Sequence, residues 1–450
     1  MKRLYINSGL HFFLLSIVLL LASCSTTSEN VSLIKLGAPN TSDYGGKGNC
    51  AMTSMDAPGQ GLRAMGSGLR AMGSGLRAMG SVGGLFITES GDSFVGSSNP
   101  SDVASYVSNL GSSGLIPFSP KDSVGIIVLD KFSNDDTAPT YSLGHDLINL
   151  IDAAASSPQD LKDQFESLRL SGQISHGALV LAHMHAILEA MPGVSFEAML
   201  DESSFVYKLG KGHQLVIKAV DVTGLTTEQM INPLQNAIGF LADNGVSNYA
   251  TNMSFTLVPC DVLLEENWSN NYTLEDYLLE LEDEGIDADA FLVDVSSDFV
   301  NGSDPLLTFI ANEGSGTGHY VASSGNYNHN YPMYPALADD VLSVASHDLN
   351  APKNSLVTNS DYFSNSGEVA APGWLFGIYD PISGVEIPEI SYAGTSFASP
   401  ATAIYTAFDL AQGAPECHAG EESDLIHSGK YFNWELDYAI DKRCGSTYFK

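Results

Sequence analysis

Basic side chains are scarce in this chain of 450 residues, which has 19 Lys and Arg against 53 Asp and Glu, a formal net charge of −34. Because such a surface repels phosphates, the charge argues strongly against nucleic acid as the main partner. Charged residues make up only 16% of the chain, so the imbalance reflects missing Lys and Arg and not one acidic tail. Hydrophobic residues, at 44%, suffice for a packed core and exclude wholesale disorder.

The apolar run near the start is too short to cross a bilayer. Residues 10–22 follow two basic residues and have the layout of an export signal. The run ends in Leu21-Ala22-Ser23-Cys24, which resembles a bacterial lipoprotein cleavage box. We therefore predict a signal peptide over residues 1–23 and lipidation, including palmitate, at Cys24. The alternative is a plain secretory signal with a chance cysteine.

Both alternatives place the protein outside the cytoplasm. Ser25, and not Asp, follows Cys24, which predicts an outer-membrane lipoprotein that contacts the membrane through its anchor. Removal of the N-terminal region would instead give a secreted form. Disulfides can form and persist outside the cytoplasm, where conditions are oxidising.

Cysteines number only five. With Cys24 set aside, four remain, and four cysteines allow three pairings among which the sequence does not choose. Because Cys417 and Cys444 both lie in the C-terminal tail, we expect them to pair, which leaves Cys50 and Cys260 for each other. The alternative is that some stay free thiols.

The N-terminal extension, residues 24–120, is rich in Ser and Gly. Its residues 61–81 repeat the heptapeptide Gly-Leu-Arg-Ala-Met-Gly-Ser three times without change. Two glycines in seven residues argue against a long helix. The repeat is typical of a spacer, and a docking or autoinhibitory segment is the alternative.

From about residue 121, buried strands and helices alternate. Residues 124–129 are a continuous apolar run that ends in Asp130 and predict a strand buried on both faces. Further strands are predicted over Leu215–Val220, Phe291–Val295, His319–Ala322 and Val341–Ala345, and helices over Gly177–Met191, Thr227–Asp243 and Ala398–Ala411. This alternation predicts an α/β domain with a doubly wound, mostly parallel sheet flanked by helices. Ligands of such sheets bind at the carboxyl ends of strands, where Asp130 lies.

Three segments carry residues of catalytic type. They are Asp130, then Ser175-His176-Gly177 at the start of one predicted helix, and residues 394–400 (Gly-Thr-Ser-Phe-Ala-Ser-Pro) at the start of another. Ser396 in the third is a weak nucleophile unless a base takes its proton, and the base needs an acceptor that selects its tautomer. A helix N-terminus provides free N–H groups for a developing oxyanion. Pro400 is tolerated there if it lies in the first turn, where N–H groups lack intrahelical partners.

These residues resemble the subtilisin-like serine proteases, the subtilases. Asp130, His176 and Ser396 follow the Asp–His–Ser order of that family. Residues 394–400 match the nucleophile motif of the family at each defining position. The resemblance extends over about residues 121–411.

Two local motifs depart from the family. Ala178 replaces the usual Thr after His176-Gly177, and Leu181 and Ala182 replace the usual Ala and Gly. Lys131-Phe132 follows Asp130 where the family has Ser or Thr and then Gly. These departures weaken the local motifs but remove no member of the triad.

The resemblance also implies roles for other residues. Asn326, at the end of Ala-Ser-Ser-Gly-Asn, would be the oxyanion donor. Residues implied to bind substrate are Asn252, Met253, Ser254, Ser323, Ser324 and Gly325. Residues from about 259 to 303 look like an acidic insertion, and residues 412–450 look like a disulfide-closed tail.

The resemblance implies a serine endopeptidase that acts on proteins or peptides through an acyl-enzyme. The chemistry would need no cofactor. Structural calcium is common in the family, but no loop here shows the regular Asp and Asn spacing that would specify a ligand set. Oligomeric state is not encoded in these motifs.

Two other functions compete with this one. Gly91-Asp92-Ser93, with Asp424 and His427 near the end of the chain, resembles the nucleophile and partner residues of another esterase class. However, Ser93 does not follow a clear buried strand, and that alternative leaves the segment around Ser396 unexplained. The second is a subtilisin-like surface binding lipoprotein with weak catalysis, which Lys131-Phe132 and Ala178 favour.

Overall fold

A computed structural model describes the residues 48–53, 120–133, 138–142, 160, 164, 168, 174–191, 193–260, 302–313, 318–326, 332–347, 364–365, 367–380, 385–411, 440–441 and 446–447. The strands in these ranges are β1 (Asn49–Met52), β2 (Val124–Asp130), β3 (Ser195–Asp201), β4 (Ser204–Gly210), β5 (His213–Asp221), β6 (Asn248–Met253), β7 (Thr256–Pro259), β8 (Gly318–Ser323), β9 (Val341–His347), β10 (Val369–Pro372), β11 (Trp374–Asp380), β12 (Val385–Ala393), β13 (Ile440–Asp441) and β14 (Ser446–Thr447). The helices are α1 (His176–Ala190), α2 (Thr227–Asp243), α3 (Pro305–Glu313) and α4 (Thr395–Ala411).

Eight strands form the main sheet, in the order β10-β9-β8-β6-β2-β5-β4-β3. All pairings from β10 to β5 are parallel, and β4 and β3 join in antiparallel orientation at the β5 side. The predicted α/β fold with a mostly parallel sheet is therefore confirmed.

Different helices pack against the two faces of the sheet. Along β2, Val124, Ile126 and Val128 pack with α1 and α4, whereas Ile127 and Leu129 pack with α2 and α3. This division follows from the period of two along a strand, which turns successive side chains to opposite faces. Because both faces are covered, β2 is apolar throughout and all seven of its residues are buried.

Strand register places the end of β2 beside the ends of both neighbours. Asp130 pairs with Asp221 of β5, and Leu129 pairs with Met253 of β6. Because these strands are parallel, their carboxyl ends meet at one edge of the sheet. The residues that follow Asp130 and Met253 are thus neighbours in space.

The hairpin of β3 and β4 was not among the predicted strands. Residues of β3 are exposed or half-buried, so the strand lacks the apolar run by which the buried strands were identified. The next connection, from β4 to β5, turns through Gly210, Lys211 and Gly212, which have φ angles of 87°, 51° and 83°. Two glycines suit these left-handed conformations.

Residues 48–53 of the predicted extension pack against the later chain. Strand β1 pairs with β7 in antiparallel orientation, and Cys50 forms a disulfide with Cys260. The predicted pairing of these two cysteines is therefore present. Asn49 is buried and donates through Nδ2 to Asp304 Oδ2 at 2.8 Å, next to the start of α3.

Several predicted features lie outside the described residues. They are the signal peptide, Cys24, the repeats at 61–81, residues 261–301 of the acidic insertion, the strand at Phe291–Val295, and Cys417 with Cys444. Within the described ranges, no helix combines the length and apolarity needed to cross a membrane.

Candidate active site

A carboxylate and an imidazole form a buried pair at the end of β2. Asp130 Oδ1 lies 2.7 Å from His176 Nδ1, and the two side chains are 0% and 3% exposed. Ser175 caps α1 by accepting from Ala178 N at 3.2 Å, which begins the helix at His176. Because a carboxylate accepts, we assign the proton of a neutral imidazole to Nδ1, which leaves Nε2 as the basic nitrogen.

The connection after Asp130 contacts Asp130 itself and Gly177, the residue that follows His176. Lys131 N donates to Asp130 Oδ1 at 2.7 Å, and Gly177 N donates to Lys131 O at 2.8 Å. Phe132 is fully buried, and its ring lies where a side chain at Gly177 would be, 2.7 Å from the position of a Cβ. The unusual Lys131-Phe132 sequence is thus accommodated by the glycine after His176.

Ser396 is the second residue of α4 and is 6% exposed. Its Oγ donates to Ser254 O at 3.4 Å. His176 Nε2 is buried and has no hydrogen-bond partner among the described residues. The hydroxyl and the imidazole are therefore not bonded to each other here. Their partners lie on adjacent strands, since Ser254 follows β6 and Asp130 ends β2.

Asn326 is hydrogen-bonded to Thr395, the first residue of α4. Its Oδ1 accepts from Thr395 N at 2.7 Å and lies 3.1 Å from Thr395 Oγ1. A backbone N–H can only donate, so the amide atom next to it is assigned as the oxygen. The amide nitrogen of Asn326 is consequently the group that can donate to another ligand.

Gly325, the residue before Asn326, allows the backbone to pass close to Asn365. Gly325 has φ 108°, a conformation that favours glycine, and a Cβ there would lie 2.6 Å from Asn365 Nδ2. Gly325 N also donates to Thr395 Oγ1 at 3.3 Å. These contacts orient Asn326 over the first turn of α4.

Pro400 lies beyond the first turn, so the reason given for it from the sequence was wrong. Because α4 begins at Thr395, residue 400 would normally donate its N–H to Ser396 O. Proline has no N–H, and Ser254 Oγ donates to Ser396 O at 3.0 Å. A side chain from the neighbouring strand thus replaces the missing helical donor next to the nucleophile.

Asn252, Met253 and Ser254, predicted to bind substrate, have buried side chains. Asn252 Oδ1 accepts from Ser399 Oγ at 2.7 Å, and Asn252 Nδ2 donates to Ser254 Oγ at 3.0 Å. These side chains secure α4 to the sheet.

Ser323, Ser324 and Gly325, also predicted to bind substrate, are buried. Ser324 Oγ donates to Asn365 O at 3.0 Å, and Ser324 N donates to Val344 O at 2.9 Å. Ser324 therefore ties this segment to its neighbours.

Sequence reasoning missed Asp221, the last residue of β5. Its carboxylate accepts from Phe132 N at 2.9 Å and from Ser133 Oγ at 2.7 Å, in the connection that follows Asp130. The available signal was its position: like Asp130, it ends a buried parallel strand. The two residues are paired in register.

Two further histidines of α1, His183 and His185, are buried. Burial lowers the pKa of His183 and of His185 to about 3. The ring of His183 packs edge-on against Phe397 at 5.5 Å, and His185 Nδ1 lies 2.7 Å from Tyr207 Oη. Both side chains are therefore neutral at physiological pH.

No group of three or more His, Cys, Asp or Glu side chains among the described residues is arranged to hold a metal ion. Structural calcium thus stays a prediction without a ligand set.

No family model matches the sequence, and no curated protein does. Among solved structures, the chain is similar to the prenylagaramide maturation protease PagA, with 16% identity over 67% of this chain and 82% of that one and a TM-score of 0.30. It is similar to the PatG macrocyclase in complex with peptide, with 13% identity, coverage of 69% and 82%, and a TM-score of 0.35. It is also similar to the epidermin leader peptide processing protease EpiP of Staphylococcus aureus, with 14% identity over 73% of this chain and 79% of that one and a TM-score of 0.31. Similarities this weak carry no argument about chemistry, which must come from the geometry of the site.

Proposed function

We propose that this protein is a subtilisin-like serine endopeptidase that hydrolyses peptide bonds through an acyl-enzyme on Ser396. The observation that carries the proposal is the buried contact of 2.7 Å between Asp130 Oδ1 and His176 Nδ1, whose Nε2 has no partner among the described residues. The end of the adjacent strand β6 contacts Ser396. Asp130, which contacts the base, and Ser254, which contacts Ser396, thus lie at the carboxyl ends of neighbouring strands.

In the proposed reaction, His176 Nε2 takes the proton of Ser396 Oγ as the oxygen attacks the substrate carbonyl. The hydroxyl first leaves Ser254 O, its partner at 3.4 Å, by rotation about its side-chain bond. Long or misaligned catalytic hydrogen bonds are common before a substrate binds. Asp130 keeps the proton on Nδ1 and stabilises the imidazolium, which then gives its Nε2 proton to the leaving amine as the C–N bond breaks. Water, deprotonated by His176, then releases the acyl group from Ser396.

Two donors serve the negative charge that develops on the carbonyl oxygen. Asn326 is oriented by Thr395, so its amide nitrogen is available to donate. The Ser396 N–H belongs to the first turn of α4, where backbone N–H groups lack intrahelical acceptors. Donors that are oriented in advance stabilise an oxyanion more than donors that must reorganise.

The substrate class follows from the proposed acyl-enzyme chemistry of a subtilisin-like site. The side chains of residues 252–254 and 323–325 are buried, so they do not narrow that class further. We propose proteins or peptides as substrates and a location outside the cytoplasm, through an anchor at Cys24. The chemistry requires no cofactor.

Labelling with a fluorophosphonate tests the proposal. We expect the wild type to be labelled and the variants Ser396→Ala and His176→Gln to lose labelling, together with casein hydrolysis that phenylmethylsulfonyl fluoride blocks. Ser93→Ala is the matched control, because it removes the nucleophile of the competing esterase hypothesis and should leave labelling intact. A folded wild type that is never labelled, or labelling that survives Ser396→Ala, would contradict the proposal.

One observation favours the alternative of a weakly catalytic binding protein. Ser396 Oγ contacts Ser254 O, and it is not bonded to His176 Nε2 among the described residues. If this arrangement persists with substrate, wild-type labelling should be no faster than that of His176→Gln. The same experiment therefore separates the two functions.

A further inference from the structure

Asp221 occupies the position of β5 that pairs with Asp130 of β2. Its carboxylate accepts four bonds. Oδ1 accepts from Phe132 N at 2.9 Å, from Thr223 N at 3.1 Å and from Thr223 Oγ1 at 2.6 Å, and Oδ2 accepts from Ser133 Oγ at 2.7 Å. Both oxygens are thus engaged by residues 131–133, here termed the Asp130 loop, and by the turn after β5.

The Asp130 loop contacts Asp130 and Gly177, the residue that follows His176. Lys131 N donates to the same Asp130 oxygen that His176 contacts, and Lys131 O accepts from Gly177 N in the first turn of α1. Phe132 fills the space beside Gly177. A shift of this loop would therefore move the Asp130 carboxylate and the first turn of α1 together.

Independent bonds from the same turn add to the attachment. Val222 N donates to Asp130 O at 3.0 Å, and Ser133 N donates to Thr223 Oγ1 at 3.4 Å. Among the described groups of residues 221–223 that bond to the Asp130 loop, only the Asp221 side chain is a carboxylate. Hydrogen bonds to an ionised acceptor are stronger than those to a neutral one. Asp221 is therefore the main attachment of the Asp130 loop to β5.

We infer that Asp221 is a positioning residue that holds the Asp130–His176 pair in its reactive geometry through the Asp130 loop. It has no hydrogen bond to His176 among the described residues, and it takes no part in proton transfer. The inference rests on the proposed function for its catalytic consequence, but its geometric content does not depend on activity.

The first measurement follows the kinetics of fluorophosphonate labelling. Asp221→Asn removes one acceptor oxygen and the negative charge on the other, so the bonds to the loop weaken and the loop loosens. We expect the maximal labelling rate to fall about ten- to a hundred-fold, because catalysis is sensitive to displacements near 1 Å, while the half-saturating probe concentration stays within about twofold. Asp201→Asn is the matched control, since Asp201 ends β3 and bonds to Ser203, Ser204 and Lys218, none of which belongs to the Asp130 loop.

The second measurement is independent of activity. In full-length protein labelled with ¹⁵N-histidine, we expect a low-field proton signal for the bond between His176 Nδ1 and Asp130, assigned by its loss in His176→Gln. This signal should shift or broaden in Asp221→Asn and not in Asp201→Asn. If the wild type gives the signal but is never labelled, the proposed function fails and the inference on Asp221 is still decided by this signal.

Ser133→Ala provides a milder variant should Asp221→Asn not fold. It removes only the donor to Asp221 Oδ2, and we expect a smaller change of the same signal and rate. An unchanged signal together with a labelling rate within twofold of Asp201→Asn, in a folded Asp221 or Ser133 variant, would overturn the inference.

Discussion

Single side chains at the start of α4 have separable functions. Asn326 bonds to Thr395 through its oxygen, while its nitrogen would bind the oxyanion. One amide therefore serves both the structure and the proposed chemistry. A substitution that keeps the oxygen and removes the nitrogen can distinguish the two.

Asn326→Asp is such a substitution. A carboxylate can still accept from Thr395, so the free energy of unfolding should stay close to that of the wild type. It cannot donate to an oxyanion, and removal of one such donor typically lowers kcat by about 10²–10³-fold. Peptide hydrolysis and urea unfolding measure the two effects. Equal activity of Asn326→Asp and the wild type would contradict the assigned role.

Ser254 and Pro400 form a second pair of coupled residues. Ser254→Ala leaves Ser396 O without its side-chain donor, which should lower the free energy of unfolding by about 1–3 kcal/mol. Pro400→Ala restores a helical N–H for the same carbonyl. We therefore expect Ser254→Ala to be less destabilising in the Pro400→Ala background, by about 1 kcal/mol in a double-mutant cycle of urea unfolding. Additive effects would show that the two donors do not substitute for each other.

At the scale of elements, the Asp130 loop and α1 meet at one glycine. In Gly177→Ala the new Cβ would lie 2.7 Å from the Phe132 ring, so we expect a loss of about 1–3 kcal/mol in the free energy of unfolding. Phe132→Leu should recover part of it. Gly239→Ala in α2 is the control, because it is exposed with no atom within 4 Å of its Cβ and should stabilise the protein by roughly 0.5–1 kcal/mol. A neutral Gly177→Ala would show that the ring moves freely.

A disulfide joins Cys50 of β1 to Cys260, the residue after β7, across 210 positions of the sequence. Replacing both Cys50 and Cys260 by Ser should lower the free energy of unfolding by about 2–5 kcal/mol, because long closed loops restrict the unfolded chain strongly.

A cut between β1 and β2 tests the same bond by connectivity. With a specific protease site inserted in residues 61–81, the N-terminal fragment should remain attached after cleavage until a reductant is added. The doubly substituted chain is the control and should release the fragment more readily. Release from the unreduced wild type would contradict the bond.

For the molecule as a whole, buried histidines predict sensitivity to acid. The pKa of His183 and of His185 is lowered by burial from 6.5 to about 3. Between these values the unfolded chain binds more protons than the folded one, so stability falls as pH drops from about 6.5 towards 3. Each histidine contributes a slope of up to about 1.4 kcal/mol per pH unit. His183→Gln should reduce the slope of the unfolding free energy with pH, and an unchanged slope would contradict this origin.

The buried strands could be predicted because their signal is local. Strand β2 is apolar along its whole length, and the predicted helix Thr227–Asp243 begins after the capping residue Thr226, whose side chain accepts from Gln229 N. The β3–β4 hairpin could not, because its exposed residues have no apolar run. The pairing of β1 with β7 depends on contacts between distant parts of the chain.

The amino-acid sequence by itself determined the alternation of strands and helices and the candidates Asp130, His176, Ser396 and Asn326, because each stands in a short local pattern. Tertiary structure alone decided that Asp130 contacts His176 and that Ser254 replaces the N–H missing at Pro400. It also decided that Asp221 anchors the Asp130 loop. The reason is that strand register and helix packing bring these donors and acceptors together across long separations in the chain, and a local pattern does not encode that distance.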